Sequence, residues 1–387
     1  MTEWKECKIA DLGTVIGGAT PSTKNAANYE KGTIAWITPK DLSTFTGRYI
    51  QRGERNITEI GLKSCSTQLL PTNSVLFSSR APIGYIAIAA NEVCTNQGFK
   101  SVIPNDDTDP LFLYYLLKYN KDKIESMGSG TTFKEISGNT MKSISVRVPK
   151  DVSVQKRISA VLGMIDDKIE ENERINDNLQ QQAAALFSTL YDRSNTEVSY
   201  TDLIRVLGGG TPKTGESTYW NGDVAFFTPK DVGLPYTLVT EKSITEEGLS
   251  HCNSRLYSVN TVFVTARGTV GKVSLSGIPM AMNQSCYALV GKKTHQLLVY
   301  FYTLKAVDRL KHKASGAVFD AITTRDFESE QIMKLSDNDA KTFLCVAEPM
   351  FQKMLNNSIE NLQLSTLRDS LLPKLMSGEL DVSAVEL

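Results

Sequence analysis

At 387 residues the chain is long enough for two or three compact cores, and its 41% hydrophobic and 22% charged content, with a mean hydropathy of −0.20, is that of an ordinary globular protein. Its longest apolar runs, such as 111–117, are too short to span a bilayer, and its first residues carry no apolar signal region. Six scattered cysteines without a CxxC pair, and only three histidines, suit neither a disulfide framework nor a zinc site, so a reduced cytoplasmic protein is expected.

Taken in chain order, the pattern predicts two mixed α+β domains, each followed by a long helix. In residues 1–150, short runs bounded by Gly, Pro, Asn and Ser (33–37, 74–78, 83–90) read as strands, and the apolar periodic stretch 111–126 reads as a helix. Residues 151–193 form the first long helix. Between Val154 and Tyr191, the residues Ile158, Leu162, Ile165, Ile169, Asn172, Asn176, Leu179, Ala183, Leu186 and Leu190 keep an unbroken 4–3 spacing, the mark of a coiled-coil seam. Ser153 is its expected N-cap. At 1.5 Å per residue this helix is about 55 Å long.

Residues 194–335 return to strands (224–227, 261–265, 270–275) and a helix (297–313). Over 336–387 the seam recurs 185 residues on as Phe343, Ala347, Met350, Met354, Asn357, Asn361, Leu364, Arg368, Leu371 and Leu375. Pro349 and Pro373 predict a late start or a kink at the first and an end near the second. Two matching helices in one chain can pack as an antiparallel coiled coil. Within it, Asn172, Asn176, Asn357 and Asn361 either fix register at a cost in stability or mark where a partner docks.

This doubled order reflects one internal repeat. Gly17-Gly18-Ala19-Thr20-Pro21-Ser22 recurs as Gly209-Gly210-Thr211-Pro212-Lys213, and Thr38-Pro39-Lys40-Asp41-Leu42 as Thr228-Pro229-Lys230-Asp231-Val232. Residues 75–84, with Ser79-Arg80 and Ile83-Gly84, align with 262–271, and sixteen residues after each arginine stands Asn96-Gln97 or Asn283-Gln284. A fifth block pairs Gly128–Phe133 with Ala314–Phe319. The offset drifts only from 191 to 186, and the order never changes. The net charge of −1 also alternates along these blocks: +4 over 1–150, −3 over 151–193, +2 over 194–335 and −4 over 336–387. An anionic partner is steered to the mildly basic domains.

No catalytic constellation emerges. Gly268–Lys272 resembles part of a phosphate loop, but Ala266 replaces its first glycine and Val273 its magnesium-binding hydroxyl, so a strand–turn–strand is expected. No Asp/Asn-Pro-Pro-Tyr/Phe segment of an adenine-methylating centre is present. Asp41 and Asp231, each after Pro-Lys, read as turn or capping residues.

The repeated polar residues suit nucleic acid better. Thr20, Ser22, Lys24, Lys40, Thr211, Lys213 and Lys230 sit in expected loops, where they suit phosphates. Arg80 and Arg267 follow a strand and precede a turn, a placement that aims a guanidinium at phosphate or guanine. Asn96, Gln97, Asn283 and Gln284 carry amides of the kind that pair with adenine. All of these equally fit a framework role. Residues shared by both copies cannot make the copies read different sequences. Specificity is therefore expected from unshared loop residues, such as Lys24, Asn25, Asn28 and Tyr29 against Thr214, Glu216, Tyr219 and Trp220.

The doubled order Gly-Gly-x-Thr-Pro, Thr-Pro-Lys-Asp, Ser/Ala-Arg-x-x-Ile/Val-Gly, Asn-Gln, long helix resembles the specificity (S) subunit of type I restriction–modification systems. Tyr219–Asp231 and Leu371–Leu380 are especially similar to that family. The resemblance implies two target-recognition domains, each reading one half of a split asymmetric site on double-stranded DNA, with the helices setting the gap. It implies assembly with two modification (adenine-N6 methyltransferase) subunits and two restriction subunits. S-adenosylmethionine, ATP and Mg would belong to those partners, leaving this chain without cofactor, metal or catalytic role. Pro349, Arg368 and the Ser336–Asp339 entry depart from the family pattern. The competing readings are a self-sufficient methyltransferase or nuclease and a scaffold that does not bind DNA.

Overall fold

A computed structural model describes residues 3–130, 134–233, 235–313 and 321–382. The fifth repeated block lies partly (128–133) or wholly (314–319) outside the described residues. The chain divides into two compact units, Met1–Glu170 with Gln363–Leu387, and Glu171–Leu362.

The first unit holds strands β1 (Trp4–Lys8), β2 (Gly13–Gly17), β3 (Ile34–Ile37), β4 (Tyr49–Ile50), β5 (Arg55–Ile57), β6 (Val75–Ser79), β7 (Ile83–Ala89), β8 (Cys94–Thr95), β9 (Lys100–Pro104) and β10 (Ser145–Pro149). They form a five-stranded sheet of order β2-β9-β6-β7-β4, a three-stranded sheet β5-β3-β8 and the pair β1-β10. In the second unit, β11 (Thr196–Ser199), β12 (Ile204–Gly208), β13 (Trp220–Phe227), β14 (Tyr236–Thr237), β15 (Lys242–Ile244), β16 (Val262–Thr265), β17 (Val273–Ser276), β18 (Met280–Met282), β19 (Cys286–Gly291) and β20 (Gln331–Lys334) repeat that order strand for strand. Both parallel contacts recur too, β3 with β8 and β4 with β7 answering to β13 with β18 and β14 with β17. Val75–Ser79 is buried at every position, because β6 is a central strand covered on both faces, so its sequence reads as a continuous run without alternation.

The stretch 111–126 predicted as one helix is two, Pro110–Tyr119 and Lys121–Ser126, divided at Asn120, whose side chain bonds back to Leu116 O (2.8 Å). Asp109 caps the first through Phe112 N (2.7 Å), with Pro110 at the position where no backbone donor is needed. In the second unit the counterpart helix, Gln296–Lys313, is continuous. Gly268–Lys272 lies between β16 and β17 and turns on Gly268 (φ +81°) and Gly271 (φ +74°). Gly84 (φ +96°) follows the corresponding turn, which accounts for the repeated Ile/Val-Gly.

The long helices span Val152–Asp192 and Asp337–Ser377. The first is capped by Asp151, not Ser153: the Asp151 carboxylate accepts Ser153 N (2.8 Å) and Ser153 Oγ (2.7 Å). The second starts neither late nor at Pro349. Ser336 caps it by accepting Asp339 N (3.1 Å) while its hydroxyl donates to Asp339 Oδ2 (2.9 Å), so the unfamiliar Ser336–Asp339 entry is a helix start. The helix passes through both prolines and ends four residues beyond Pro373. Each proline removes the donor for the carbonyl four residues earlier, at Cys345 or Asp369, and those residues and both prolines are exposed, so water can serve the freed carbonyls.

Within each unit the helix segments run antiparallel. In the first, Ile158 and Leu162 share a core with Leu372, Leu375 and Met376, and Asp166 meets Arg368. In the second, Ala183, Phe187 and Leu190 pack with Phe343, Ala347, Phe351 and Met354. There the four seam asparagines meet in pairs: Asn172 Nδ2 donates to Asn361 Oδ1 (2.8 Å) and Glu360 Oε2 (2.9 Å), and Asn357 Nδ2 donates to Asn176 Oδ1 (2.9 Å). The repeat relates the two pairs to each other. Asn172 and Asn357 are fully buried, and neither Oδ1 has a hydrogen-bond partner among the described residues, a cost of about 1–3 kcal/mol each.

Candidate nucleic-acid interface

In each unit the repeated motifs converge on one loop cluster. The Gly-Gly loop runs against the Asn-Gln turn, with Ala19 N donating to Thr95 O (3.0 Å) and Gly210 N to Met282 O (3.1 Å). A Cβ on Gly18 would lie 2.1 Å from Asn96 O, and one on Gly209 2.1 Å from Asn283 O, so the approach requires glycine. Thr20 Oγ1 then donates to Gln97 Oε1, and Thr211 Oγ1 to Gln284 Oε1. With that oxygen occupied, the amide nitrogen is what each exposed glutamine has to offer.

Asn96 and Asn283 build the turn itself. Asn96 N donates to Ile37 O (3.0 Å) and its Oδ1 accepts Gly98 N (2.9 Å), while Asn283 N donates to Phe227 O (2.9 Å) and its Oδ1 accepts Ser285 N (3.0 Å). The two residues thus have framework bonds, and both are half-buried.

The Thr-Pro-Lys-Asp motif docks on the same turn, since a Cβ on Gly98 would meet Pro39 Cγ at 2.9 Å. Asp41 Oδ2 accepts Thr38 N (2.7 Å) and Thr38 Oγ1 (2.6 Å), and Oδ1 accepts Glu54 N (2.7 Å). Asp231 does the same with Thr228 and Glu241. These aspartates are structural. The intervening lysines are exposed and pair with carboxylates, Lys40 with Glu54 (2.7 Å) and Lys230 with Glu241 (3.6 Å). The hydrogen bond from Lys40 to the Glu54 carboxylate holds the pKa of the Lys40 ammonium above the usual range.

Arg80 and Arg267 emerge beside the turn, because Ser79 N donates to Gly98 O (2.7 Å) and Ala266 N to Ser285 O (2.8 Å). Arg80 pairs with Glu135 (3.4 Å), which also meets Lys100 (3.6 Å). The repeat places Ala321 where Glu135 stands, and among the described residues no carboxylate pairs with the exposed Arg267. Thr269 Oγ1 ties the Arg267 turn to Pro229 O (3.2 Å).

Ser22, Lys24 and Lys213 are exposed on the Gly-Gly loop's continuation. Of the unshared residues expected to carry specificity, Asn25 caps a short turn through Ala27 N (3.2 Å). Asn28 is buried and donates to Ser22 O (3.0 Å), which leaves it no reach to a base. Arg55 and Lys242 were not singled out from the sequence, yet each lies over an aromatic ring of this cluster. Their only sequence signal is that both rings, Tyr29 and Trp220, sit at the repeat offset of the Gly-Gly loop.

Among the described residues no group of His, Cys, Asp and Glu could hold a metal ion, and no helix is long and apolar enough to cross a membrane. The cluster presents cations, amides and hydroxyls on loops held by the strand frame, and it does so in both units.

Comparison with known proteins gives the family. A family model described as the type I restriction modification DNA specificity domain matches residues 1–181 and again 194–334, and the chain belongs to that family. The type I restriction enzyme MjaIX specificity subunit of Methanocaldococcus jannaschii is 31% identical over 98% of this chain and 94% of its own length. The HindI specificity subunit of Haemophilus influenzae is 26% identical over 46% of this chain and 40% of its own length. The crystal structure of a type I restriction–modification S subunit from M. genitalium superposes with a TM-score of 0.63, covering 97% of this chain and 96% of that one at 16% identity, a likeness of fold.

Proposed function

We infer that this chain is the non-catalytic DNA-recognition subunit of a type I restriction–modification complex. Each loop cluster takes one half of a bipartite asymmetric site on double-stranded DNA. The two long helices set the gap between halves and dock two modification subunits, and two restriction subunits complete the assembly. S-adenosylmethionine, ATP and Mg serve those partners, and the complex works in the cytoplasm. Thr20, Ser22, Lys24, Lys40, Arg80 and Gln97, with Thr211, Lys213, Lys230, Arg267 and Gln284, supply the docking contacts; Asn96 and Asn283 hold the turn that presents them.

The observation that carries this reading is the convergence, in both units, of the repeated motifs on one exposed cation-bearing cluster. Two readers joined in one chain gain affinity together once both can engage, so spacer length selects the gap. The test is methylated-base sequencing of a host expressing the chain with its modification subunit. Methylation at one split motif is expected, and none with the chain alone. Removing seven matched residues from each long helix should change the gap and leave both half-sites intact; an unchanged gap would sink the spacer role.

A further inference from the structure

Each unit carries a three-part stack beside the shared loops, and its members differ between the two units. In the first, Tyr29 donates its hydroxyl hydrogen to Pro21 O (2.6 Å) and meets Trp36 edge to face (centroids 6.1 Å apart, planes at 72°). The Arg55 guanidinium lies 5.9 Å from the centre of the Tyr29 ring. In the second, Trp220 donates to Lys213 O (3.2 Å) and meets Phe226 edge to face (5.6 Å, 88°), and Lys242 Nζ lies 5.6 Å from its ring. Arg55 and Lys242 each open the edge strand of a three-stranded sheet, directly opposite Trp36 and Phe226. The stacks therefore occupy corresponding places on a common frame.

Their surroundings separate them from the carboxylate-paired cations of the cluster, and the ring beneath each separates them from Arg267, which likewise has no carboxylate partner among the described residues. Lys40, Lys230 and Arg80 pair with carboxylates, whereas among the described residues neither Arg55 nor Lys242 does, and both are exposed. Two concavities open beside Arg55, one of 240 Å³ against Trp36 and Thr38 and one of 460 Å³ against Thr23 and Tyr29. A cation resting on a ring face keeps its N–H edge available, and the contact limits the side-chain freedom lost on binding.

We propose that Arg55 and Lys242 are the base-reading cations of the two units, Arg55 forking onto the two acceptors of a guanine edge and Lys242 engaging a single acceptor in the other half-site. The proposal rests on the DNA-recognition reading above. Its physical content is that two readers on one frame need equal geometry and unequal chemistry. The planar guanidinium matches two acceptors at once, while the ammonium is a point charge that discriminates less.

The test uses the full chain assembled with its modification subunits. Genomic methylation motifs, and competition binding with duplexes substituted base by base, are compared for wild type, Arg55→Lys and Lys242→Arg, with thermal melting to confirm folding. Arg55→Lys should relax one position of one half-site, with about a ten- to hundredfold loss of discrimination there, and leave the other half unchanged. Lys242→Arg should alter only the other half. An unchanged motif and discrimination in both folded variants, or an equal loss of affinity across all sequences as expected of a phosphate contact, overturns the base-reading role alone. A wild-type complex with no sequence-restricted methylation or binding overturns the DNA-recognition reading as well.

Discussion

The two units agree strand for strand, yet the helices meet their domain cores through opposite chemistry. In the first unit Tyr115 donates to Asp166 (2.6 Å), which also accepts from Arg368 (2.7 Å). Arg48, buried beside them, bonds to Glu170 (2.9 Å), Asp167 and Gly163 O (3.4 Å). The repeat offsets place Phe301, Phe351, Ala183 and Pro235 at the counterparts of Tyr115, Asp166, Arg368 and Arg48. There Phe301 and Phe351 (5.6 Å apart, 72°) form an aromatic cluster with Phe187 and Phe343. Burial works against the charge of Arg48, but the Glu170 and Asp167 carboxylates outweigh it and hold its pKa above the ordinary value. Burial, reinforced by Asp166, pushes the Tyr115 phenol up, so it stays a neutral donor.

The strand frame thus depends on backbone pairing and apolar strands, and it accepts either chemistry at the helix contact. A buried ion pair often adds little net stability over well-packed apolar residues of similar volume, so the ionic version is not by that alone the stronger of the two. The two ends are not interchangeable: the acid of one would face the ring of the other.

The largest effect is expected at the aromatic end. Phe351→Ala should cost about 3–5 kcal/mol in denaturant unfolding, and a loss below about 1 kcal/mol would break the comparison. Next comes Arg368→Ala, which leaves Asp166 with Tyr115 alone. It should cost the low end of about 3–5 kcal/mol, because the Arg368 side chain keeps 16% exposure. Installing the second unit's residues together, Tyr115→Phe, Asp166→Phe and Arg368→Ala, should recover most of that loss. A triple variant no more stable than the single one means the positions are not equivalent.

The smallest effect concerns an aspartate at each helix start, Asp151 as the cap of the first helix and Asp339 in the first turn of the second. Hydrogen bonds from Ser153 hold the Asp151 carboxyl below its usual range, and bonds from Arg193 and Ser336 do the same for Asp339. A depressed folded pKa contributes stability that is present above the unfolded value, about 3.9, and is lost as pH falls through the folded value. Both helix starts should therefore fray together below about pH 4, seen as faster amide exchange at residues 153–155 and 339–341. Fraying at only one start would mean the caps are not equivalent.

Much of this was legible in the chain. The repeat implied two domains of like order, the 4–3 spacing marked the two long helices, and Asp41 and Asp231 announced themselves as capping residues after Thr-Pro-Lys. The asparagines at equivalent seam positions meet in pairs. Less legible were Asn28, a polar loop residue that proves buried, and Arg55 and Lys242, whose rings lie 26 and 22 residues away in sequence. A cation and the ring beneath it need share no periodicity.

Periodicity, capping and turn preference act over a few residues, and they determined the α+β class, the doubled order and the helix seams from sequence alone. Packing decided the rest. Pro349 and Pro373 are tolerated because the fold turns them outward, so two residues that read as breaks lie inside one 41-residue helix. Arg368, a flaw in the seam by sequence, is matched by an acid 202 residues away. Such partners are brought together only when the chain closes on itself, and no local preference encodes that distance.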